Sequence, residues 1–345
     1  MKKAVFMGGV SSVARVYPES IVNKLKSELI FPIDHTLKLD DDENSPSFAE
    51  QLEEYKGALS DVSYIFSTWG MPELSESDIK TYLPSLKAVF YAAGSVRAFA
   101  EPFLKCGVSV FSAWAANGMP VAEMTFAQIV LANKGYFQTF HRVSDEGKWE
   151  NKTFGGPYTG NYETKVGIIG AGMIGKLVIG KLKTLDNIEV LVFDPFLPDE
   201  KAAELGVKKT DLVTLFRECT VISNHLASND QTIGMLNKSC FDVMKPNATF
   251  VNTGRGAQVV EDDLIAALKA EPARVALLDV TYPEPPKESS ELLRLPNVFL
   301  TPHIAGSMNN EFHRMAEFMY EEYRLFDEGK ATRYGVSEKM LATMA

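Results

Sequence analysis

Three side chains in the second half of the sequence have the chemistry to hold an acid and to move a proton: Arg255, Glu284 and His303. Arginine offers a planar fork of N–H donors, which can bind a carboxylate and polarise a neighbouring carbonyl. Histidine is a general acid or base near neutral pH, and a carboxylate beside it orients its ring and favours the protonated form. These residue types predict proton exchange with the oxygen of a carbonyl acid.

The same trio predicts reduction of a 2-keto acid, or the reverse oxidation of a 2-hydroxy acid. Hydride arrival at C2 builds negative charge on the oxygen, which a protonated His303 would neutralise as general acid. Arg255 would hold the substrate carboxylate, and Glu284 would orient the histidine ring. Taken singly, each of the three is more often a surface charge or a structural loop residue. Because each follows a predicted strand, their joint occurrence favours the catalytic interpretation.

The elements that must position the trio form an alternating series of strands and helices from Lys165 onward. Short apolar runs predict six strands in this half, at 166–169, 190–193, 221–223, 249–252, 275–278 and 298–300. In an open parallel sheet, the loops that follow the strands meet at the ligand crevice. Arg255, Glu284 and His303 are therefore predicted to converge at one edge of a doubly wound sheet.

The first third of the chain predicts a second α/β unit. β-Branched and aromatic runs predict strands at 4–7, 62–67, 88–92 and 109–112. A helix predicted over 310–326 carries an apolar stripe that could return to this unit. Asn117 and Gly118 predict a turn, and Pro120 predicts the first turn of a helix that continues to Asn133. The segment 115–120 is therefore the expected hinge.

We expect an α/β fold with two Rossmann-like or flavodoxin-like domains, each built on a parallel sheet. Residues 117–303 are expected to form one domain, which is inserted into the other. The other domain would then be discontinuous and consist of residues 1–116 and 304–345.

The glycine pattern at 170–175, Gly-Ala-Gly-Met-Ile-Gly, is the strongest local motif. Three glycines alone can mark nothing more than a tight turn, but here a strand precedes them and a helix follows. Gly170 would permit the turn, Gly172 would let the main chain approach a pyrophosphate, and Gly175 would let the helix pack on the sheet. Unpaired N–H groups at the start of the helix would face the phosphates.

Asp194 follows the predicted strand 190–193, at the place where a dinucleotide-binding motif carries an acidic residue. Its carboxylate would accept hydrogen bonds from a ribose 2′-hydroxyl and repel a 2′-phosphate, so NAD is predicted rather than NADP. The alternative is that Asp194 only caps a turn before Pro195. The glycine motif upstream favours the ribose role.

Taken together, these segments resemble the D-isomer-specific 2-hydroxyacid dehydrogenase family. The similarity covers most of the chain from about Ala88 onward and is closest over 219–268. The segments that carry it are Ser223-Asn224-His225-Leu226, Thr232, Leu236, Met244-Lys245-Pro246 and Asn252 to Gly256. Asn117 to Glu123 also looks like the family's crossing helix. The resemblance implies that residues 117–303 are the NAD-binding domain and that residues 1–116 and 304–345 are the substrate domain.

The resemblance implies that Arg255, Glu284 and His303 are the catalytic trio and that Asp279 holds the nicotinamide carboxamide. It implies that Met173 and Ile174 present amides to the pyrophosphate. Further cofactor contacts are expected at His225, Leu226, Thr232, Thr253, Gly254, Arg255, His303, Ala305 and Gly306. It also implies that the segment 93–96 lines the substrate carboxylate and the cofactor from the first domain, so Gly94, Ser95 and Val96 are expected substrate contacts besides Arg255. Trp69 is a further candidate for substrate contact, on its side chain alone. For His225, packing at a strand end is an almost equal alternative.

The identity of the acid is left open. Ala227 stands where the family usually has proline, and the segment 67–72 does not match the lactate, glycerate or phosphoglycerate patterns. Trp69, Met71 and Tyr282 are candidates for narrowing the substrate pocket, although such side chains more often belong to the core.

Composition limits the other possibilities. A net charge of −10 argues against binding to nucleic acid or to an anionic membrane, so a small-molecule partner is favoured. Three widely separated cysteines predict neither disulfides nor zinc, and no metal site is predicted. Without a signal-peptide pattern or a long apolar run, a cytoplasmic location is expected. The resemblance suggests a homodimer formed through the cofactor domain.

Two rival functions belong to related proteins. A formate dehydrogenase shares the architecture but has glutamine in place of Glu284, whereas phosphite oxidation stays possible with the same trio. The rival from another class is an NAD-sensing corepressor, which would present a peptide-docking surface or disordered tails. This chain ends shortly after its last predicted helix, which favours the enzyme.

Overall fold

The computed structural model describes residues 1–38, 46–144, 147, 149 and 158–341. The chain divides into two compact units, each with its own sheet. Unit 1 comprises Met1–Gly118 and Ser307–Ala345, and unit 2 comprises Met119–Gly306. The acidic segment 40–43, for which a solvated loop is predicted, lies outside the described residues. The assignment of unit 1 to the substrate stays a prediction.

Strands and helices alternate along most of the chain. The strands are β1 (Lys3–Met7), β2 (Val62–Ser67), β3 (Ala88–Tyr91), β4 (Ser109–Ser112), β5 (Lys165–Ile169), β6 (Glu189–Phe193), β7 (Lys208–Lys209), β8 (Val221–Asn224), β9 (Thr249–Asn252), β10 (Val275–Leu278), β11 (Val298–Leu300) and β12 (Gly335–Val336). The helices are α1 (Val10–Val16), α2 (Glu19–Glu28), α3 (Phe48–Glu54), α4 (Lys56–Leu59), α5 (Glu76–Tyr82), α6 (Ala100–Lys105), α7 (Trp114–Asn133), α8 (Tyr136–Ser144), α9 (Met173–Leu182), α10 (Asp199–Leu205), α11 (Leu212–Glu218), α12 (Lys238–Phe241), α13 (Glu261–Ala270), α14 (Glu311–Asp327) and α15 (Glu338–Leu341).

The sheet of unit 1 has the strand order β1-β2-β3-β4-β12. Its strands are parallel except for β12, which pairs antiparallel with β4. Parallel bridges from Lys3 to Ile30 and from Met7 to Leu37 extend the sheet on the other side of β1. Every residue of β2 and β3 is buried, because apolar side chains from both faces of the sheet enter two separate core clusters.

The sheet of unit 2 is fully parallel and has the order β11-β10-β9-β8-β5-β6-β7. From β5 the chain winds outward to β7 and then returns to β8 on the other side of β5. The loops after β5 and β8 therefore diverge and open a crevice at the carboxyl ends of the strands, where ligands bind in such sheets. Two core clusters cover the faces of this sheet. The predicted fold class is confirmed.

Two predictions about elements need correction. The predicted turn at Asn117-Gly118 is wrong, since α7 runs unbroken from Trp114 and contains Pro120 in its interior. Proline removes one helical hydrogen bond, but residues of α7 on both sides of it are buried, and packing of that kind can override a local breaker. The Asn117 side chain instead accepts a hydrogen bond from the N–H of Ser307 (2.9 Å).

The second correction concerns the number of strands in unit 2. The six predicted strands are present, but β7 adds a seventh. β7 consists of two exposed lysines, so it lacks the alternation of apolar and polar residues by which a strand is predicted from sequence. None of the helices in the described part of the chain is long and apolar enough to cross a membrane.

Candidate active site in unit 2

The loop after β5 is built around the three predicted glycines. Gly170 has a φ of +87°, and a Cβ placed on it would lie 2.6 Å from the carbonyl oxygen of His225. A Cβ on Gly175 would lie 2.1 Å from the carbonyl oxygen of Gly170. Both positions therefore exclude a side chain, and the close approach joins the glycine loop to helix α9 and to the loop after β8.

The start of α9 fits a pyrophosphate group. Its N-cap residue, Gly172, provides no side-chain cap, and the first turn contains no acidic residue. A Cβ on Gly172 would meet no atom within 4 Å, so the main chain at this position is open on that side. The amides of Met173 and Ile174 belong to the first turn, where N–H groups have no partner within the helix.

Asp194 is anchored between the glycine loop and its own turn. One carboxylate oxygen accepts the N–H of Ala171 (2.8 Å), and the other accepts the N–H of Phe196 (2.8 Å). The turn-capping alternative is therefore real, but the bond to Ala171 also places the carboxylate beside the glycine loop. A carboxylate has about four acceptor positions, so capacity is left for a ribose hydroxyl.

His303 and Glu284 form a direct pair. His303 Nδ1 lies 2.6 Å from Glu284 Oε1, and the two side chains are 47% and 42% exposed. The carboxylate therefore favours the tautomer with hydrogen on Nδ1 and fixes the ring orientation. Nε2 has no hydrogen-bond partner among the described residues. The arrangement can donate or accept a proton at Nε2.

The backbone of His303 is held in the left-handed region, with a φ of +54°. Asp279, which is 2% exposed, fixes this loop: its carboxylate accepts the N–H groups of Ile304 and Ala305 (both 2.9 Å) and the hydroxyl of Thr301 (2.6 Å). Its carbonyl oxygen also accepts the N–H of His303 (2.9 Å). The carboxylate is thus engaged with the histidine loop, and its contact with nicotinamide stays a prediction.

Arg255 follows β9 and interacts electrostatically with Glu284. Burial lowers the pKa of the Arg255 guanidinium, and the Glu284 carboxylate raises it. Arginine stays cationic under both influences. A Cβ on Gly256 would lie 2.0 Å from the carbonyl carbon of Thr281, so the Arg255 loop packs directly on the loop that carries Glu284. Unit 2 thus brings all three members of the trio to neighbouring loops.

Other predicted cofactor residues are engaged in holding loops. The Thr232 hydroxyl lies 2.8 Å from the carbonyl oxygen of Ala227, and Thr253 shares a 2.9 Å hydroxyl contact with Thr125. His225 packs at the end of β8, where Nε2 lies 2.9 Å from the hydroxyl of Ser223. The remaining predicted positions, which belong to the same loops of unit 2, are Leu226, Gly254, Ala305 and Gly306.

The predicted substrate residues other than Arg255 lie in unit 1, at the carboxyl ends of the neighbouring strands β2 and β3. Ser95 is exposed, Gly94 is partly exposed, and Trp69 is 36% exposed with its ring edge-on to Phe312. The side chain of Val96 is fully buried in the core of unit 1. Only its main chain could therefore meet a ligand.

The two other pocket candidates have opposite surroundings. Met71 is 7% exposed and belongs to the core of unit 1, which favours the packing alternative for this residue. Tyr282 is 71% exposed on the loop that carries Glu284.

Sequence reasoning missed a buried amide, Gln258. Its side chain joins those of Asn224 and Asn252 beneath the Arg255 loop, and all three are at most 1% exposed. The available signal was an amide close to a predicted strand end, where a buried polar side chain must find partners.

Comparison with known proteins agrees with this geometry. Residues 126–305 match the family model described as the NAD binding domain of D-isomer specific 2-hydroxyacid dehydrogenases. YoaD of Bacillus subtilis (strain 168), named as a 2-hydroxyacid dehydrogenase, is 33% identical over 279 residues, which are 79% of this chain and 73% of that protein. D-3-phosphoglycerate dehydrogenase of Archaeoglobus fulgidus is 38% identical over 201 residues, which are 58% of this chain but only 37% of that longer protein.

Solved structures show the same fold. The NAD-complexed D-isomer specific 2-hydroxyacid dehydrogenase of Lactobacillus delbrueckii ssp. bulgaricus matches 97% of this chain and 100% of its own, with a TM-score of 0.76 and 19% identity. The matched family model spans more than half of the chain and contains the glycine loop, Asp194 and the whole trio. The chain therefore belongs to the D-isomer specific 2-hydroxyacid dehydrogenase family and carries its NAD-binding domain.

Proposed function

We propose that this chain transfers hydride between NAD(H) and a 2-keto or 2-hydroxy acid, with Arg255, Glu284 and His303 as its catalytic residues. The observation that carries the proposal is the 2.6 Å contact between His303 and Glu284 at the carboxyl edge of a dinucleotide-binding sheet. An imidazole oriented by a carboxylate at such an edge is equipped to exchange a proton with a reacting oxygen.

The cofactor would be held by the amides of Met173 and Ile174 at its pyrophosphate and by Asp194 at its adenosine ribose. Bound NADH supplies the hydride for C2 of the keto acid. Arg255 binds the substrate carboxylate through its fork of N–H donors and stabilises negative charge on the carbonyl oxygen. The Nε2–H of protonated His303 donates its proton to that oxygen, so the product is the neutral hydroxyl.

Glu284 keeps the histidine in place throughout this cycle. Its carboxylate accepts the Nδ1–H of His303 and keeps the ring in one orientation while the proton leaves Nε2. In the oxidation direction the same Nε2, now without its proton, accepts the hydroxyl proton. Arg255 remains charged in both directions, because its guanidinium does not deprotonate in proteins.

The proposal is tested by following NADH oxidation with a panel of 2-keto acids. We expect turnover of at least one acid, and we expect Arg255→Ala and His303→Ala each to lower kcat/KM by roughly 100-fold or more. His313→Ala, a change on α14 of unit 1, serves as the matched histidine control and should retain activity. NADH binding without turnover of any acid, or full activity in the Arg255 and His303 variants, would overturn the proposal.

A further inference from the structure

A closed network of three buried amide side chains lies directly beneath the Arg255 loop. Asn224, Asn252 and Gln258, here called the amide triad, are 0%, 1% and 1% exposed. A Cβ on Gly254 would lie 3.2 Å from Asn224 Nδ2 and 3.3 Å from Gln258 Oε1, so the main chain beside Arg255 rests on these amides. Contacts of this kind leave the loop little room to move.

One side of the triad holds the main chain on both sides of Arg255. Asn252 Oδ1 accepts the N–H of Gly254 (3.1 Å), and Asn252 Nδ2 donates to the carbonyl oxygen of Arg255 (3.2 Å). Asn224 Nδ2 donates to Asn252 Oδ1 (3.0 Å) and to Gln258 Oε1 (2.7 Å). These bonds hold the main chain from which the Arg255 side chain leaves the loop.

The other side of the triad holds the loop that follows β8. Gln258 Nε2 donates to the carbonyl oxygens of Leu226 (3.1 Å) and Ala227 (2.9 Å). Asn224 Oδ1 accepts the N–H of Leu226 (3.2 Å). All six polar side-chain atoms of the triad therefore have hydrogen-bond partners. Exchanging the oxygen and nitrogen of one amide by a 180° flip would place donors opposite donors and leave buried polar groups unpaired.

We propose that the amide triad is the positioning device for Arg255 and that Gln258 ties this positioning to the loop after β8. The inference rests on the proposed function of Arg255 as the group that binds the substrate carboxylate. The triad residues are positioning residues, because they act on substrate only through Arg255. Loss of the Gln258 amide should therefore damage substrate turnover through Arg255 rather than through general instability.

The test is a double-mutant cycle on the full chain with a keto acid that the wild type reduces. Gln258→Met keeps the length of the side chain and removes its hydrogen bonds, and we expect kcat/KM for the acid to fall by roughly 10- to 100-fold, as for a misplaced catalytic group. In the Arg255→Ala background, Gln258→Met should lower kcat/KM by less than about twofold, because no guanidinium remains to be misplaced. Additive losses in both backgrounds would overturn the proposal.

A matched control is Asn297→Ala. Asn297 is also a buried amide of unit 2, and it donates to the carbonyl oxygens of Leu268 (3.1 Å) and Arg274 (2.8 Å), away from the triad. Its removal should lower stability while leaving kcat/KM within about threefold of wild type, as expected of a distant site. A loss of kcat/KM as large as that of Gln258→Met would mean that any buried amide matters equally, which contradicts the proposal.

Amide hydrogen exchange provides a readout that does not need turnover. Gln258→Met should speed exchange in peptides covering 224–227 and 252–258 beyond any change elsewhere in unit 2, whereas Asn297→Ala should not. A wild type that reduces no acid would defeat the proposed function, and exchange would still decide whether the triad holds the loop. Unchanged exchange in both segments would overturn the triad proposal alone.

Discussion

His225 is a buried imidazole whose chemistry differs from that of His303. Its Nδ1 is buried and has no hydrogen-bond partner among the described residues, and Nε2 contacts Ser223. Burial lowers the pKa of His225 to about 4, because the charged ring would lose its hydration. The ring is therefore neutral in the folded protein at pH values where an exposed histidine is already protonated.

This difference predicts acid sensitivity of the cofactor-free protein. As pH falls below 6.5, His225 becomes protonated in the unfolded chain, whereas in the folded chain it stays neutral until about pH 4. The free energy of unfolding therefore decreases between these two pH values. At pH 5 the loss amounts to about 2 kcal/mol relative to pH 7.5. Denaturant titrations at the two pH values should show this extra loss in the wild type and not in His225→Gln. An identical pH dependence in both proteins would contradict the prediction.

At the scale of elements, helix α9 offers two glycines with opposite surroundings. A Cβ placed on Gly175 would lie 2.1 Å from the carbonyl oxygen of Gly170, whereas a Cβ on Gly180 would meet no atom within 4 Å. The same substitution at the two positions therefore separates close packing from helix propensity.

Gly175→Ala should push α9 away from the glycine loop. We expect its free energy of unfolding to fall by about 1–3 kcal/mol and its NADH affinity to fall roughly tenfold. Gly180→Ala should instead raise stability by about 0.5–1 kcal/mol, since alanine favours a helix. Fluorescence titration with NADH and thermal melts measure both effects. Equal behaviour of the two variants would show that α9 does not depend on close contact at Gly175.

Elements whose position follows from a repeated pattern could be predicted from the sequence. The apolar runs of β5, β8, β9 and β10 and the glycines after β5 lead directly to the crevice, because parallel strands bring their loops to one edge. Pro120 misled the prediction, since packing along α7 outweighs a local helix breaker. Strand β7 went unseen because its two lysines carry no alternation.

The residues that support the candidate site could be predicted less well than the convergence of the trio on neighbouring loops. The side chains of Arg255 and His303 suggest a catalytic role from their chemistry alone, whereas the role we propose for Gln258 depends on its place under the Arg255 loop in the folded chain. The hydrogen bonds of Asp279 to the His303 loop also depend on the left-handed backbone at His303. A left-handed conformation is usually predicted from a glycine, and this position holds a histidine.

At the scale of the whole molecule, each unit carries its own hydrophobic core. Among the described residues, two core clusters are drawn from unit 1 and two from unit 2. The glycine loop and the trio belong to unit 2. The homodimer suggested by the family resemblance stays a prediction.

Separate cores predict two thermal transitions, one for each unit. Because the glycine loop and Asp194 belong to unit 2, NADH should raise mainly the midpoint of the unit 2 transition. At a concentration 100 times its Kd, NADH should stabilise unit 2 by about 2.7 kcal/mol. Matched core variants assign the two transitions. Ile65→Val should lower the free energy of unfolding of unit 1 by about 0.5–1.5 kcal/mol, and Ile222→Val should do the same for unit 2. Calorimetry with and without NADH tests this expectation. One transition that shifts as a whole would show that the units unfold together.

The left-handed backbone at His303 places the stability of the fold in conflict with the role we propose for this residue. A left-handed conformation costs a residue with a bulky side chain of the order of 1 kcal/mol, and asparagine tolerates it better. His303→Asn should therefore raise the free energy of unfolding by about 0.5–1 kcal/mol in denaturant titration, because the exposed pair with Glu284 contributes little. A destabilised variant would contradict this view. A search for thermostable variants that ignores activity would accordingly favour the loss of His303, the proton donor we propose, so selection for turnover must accompany it.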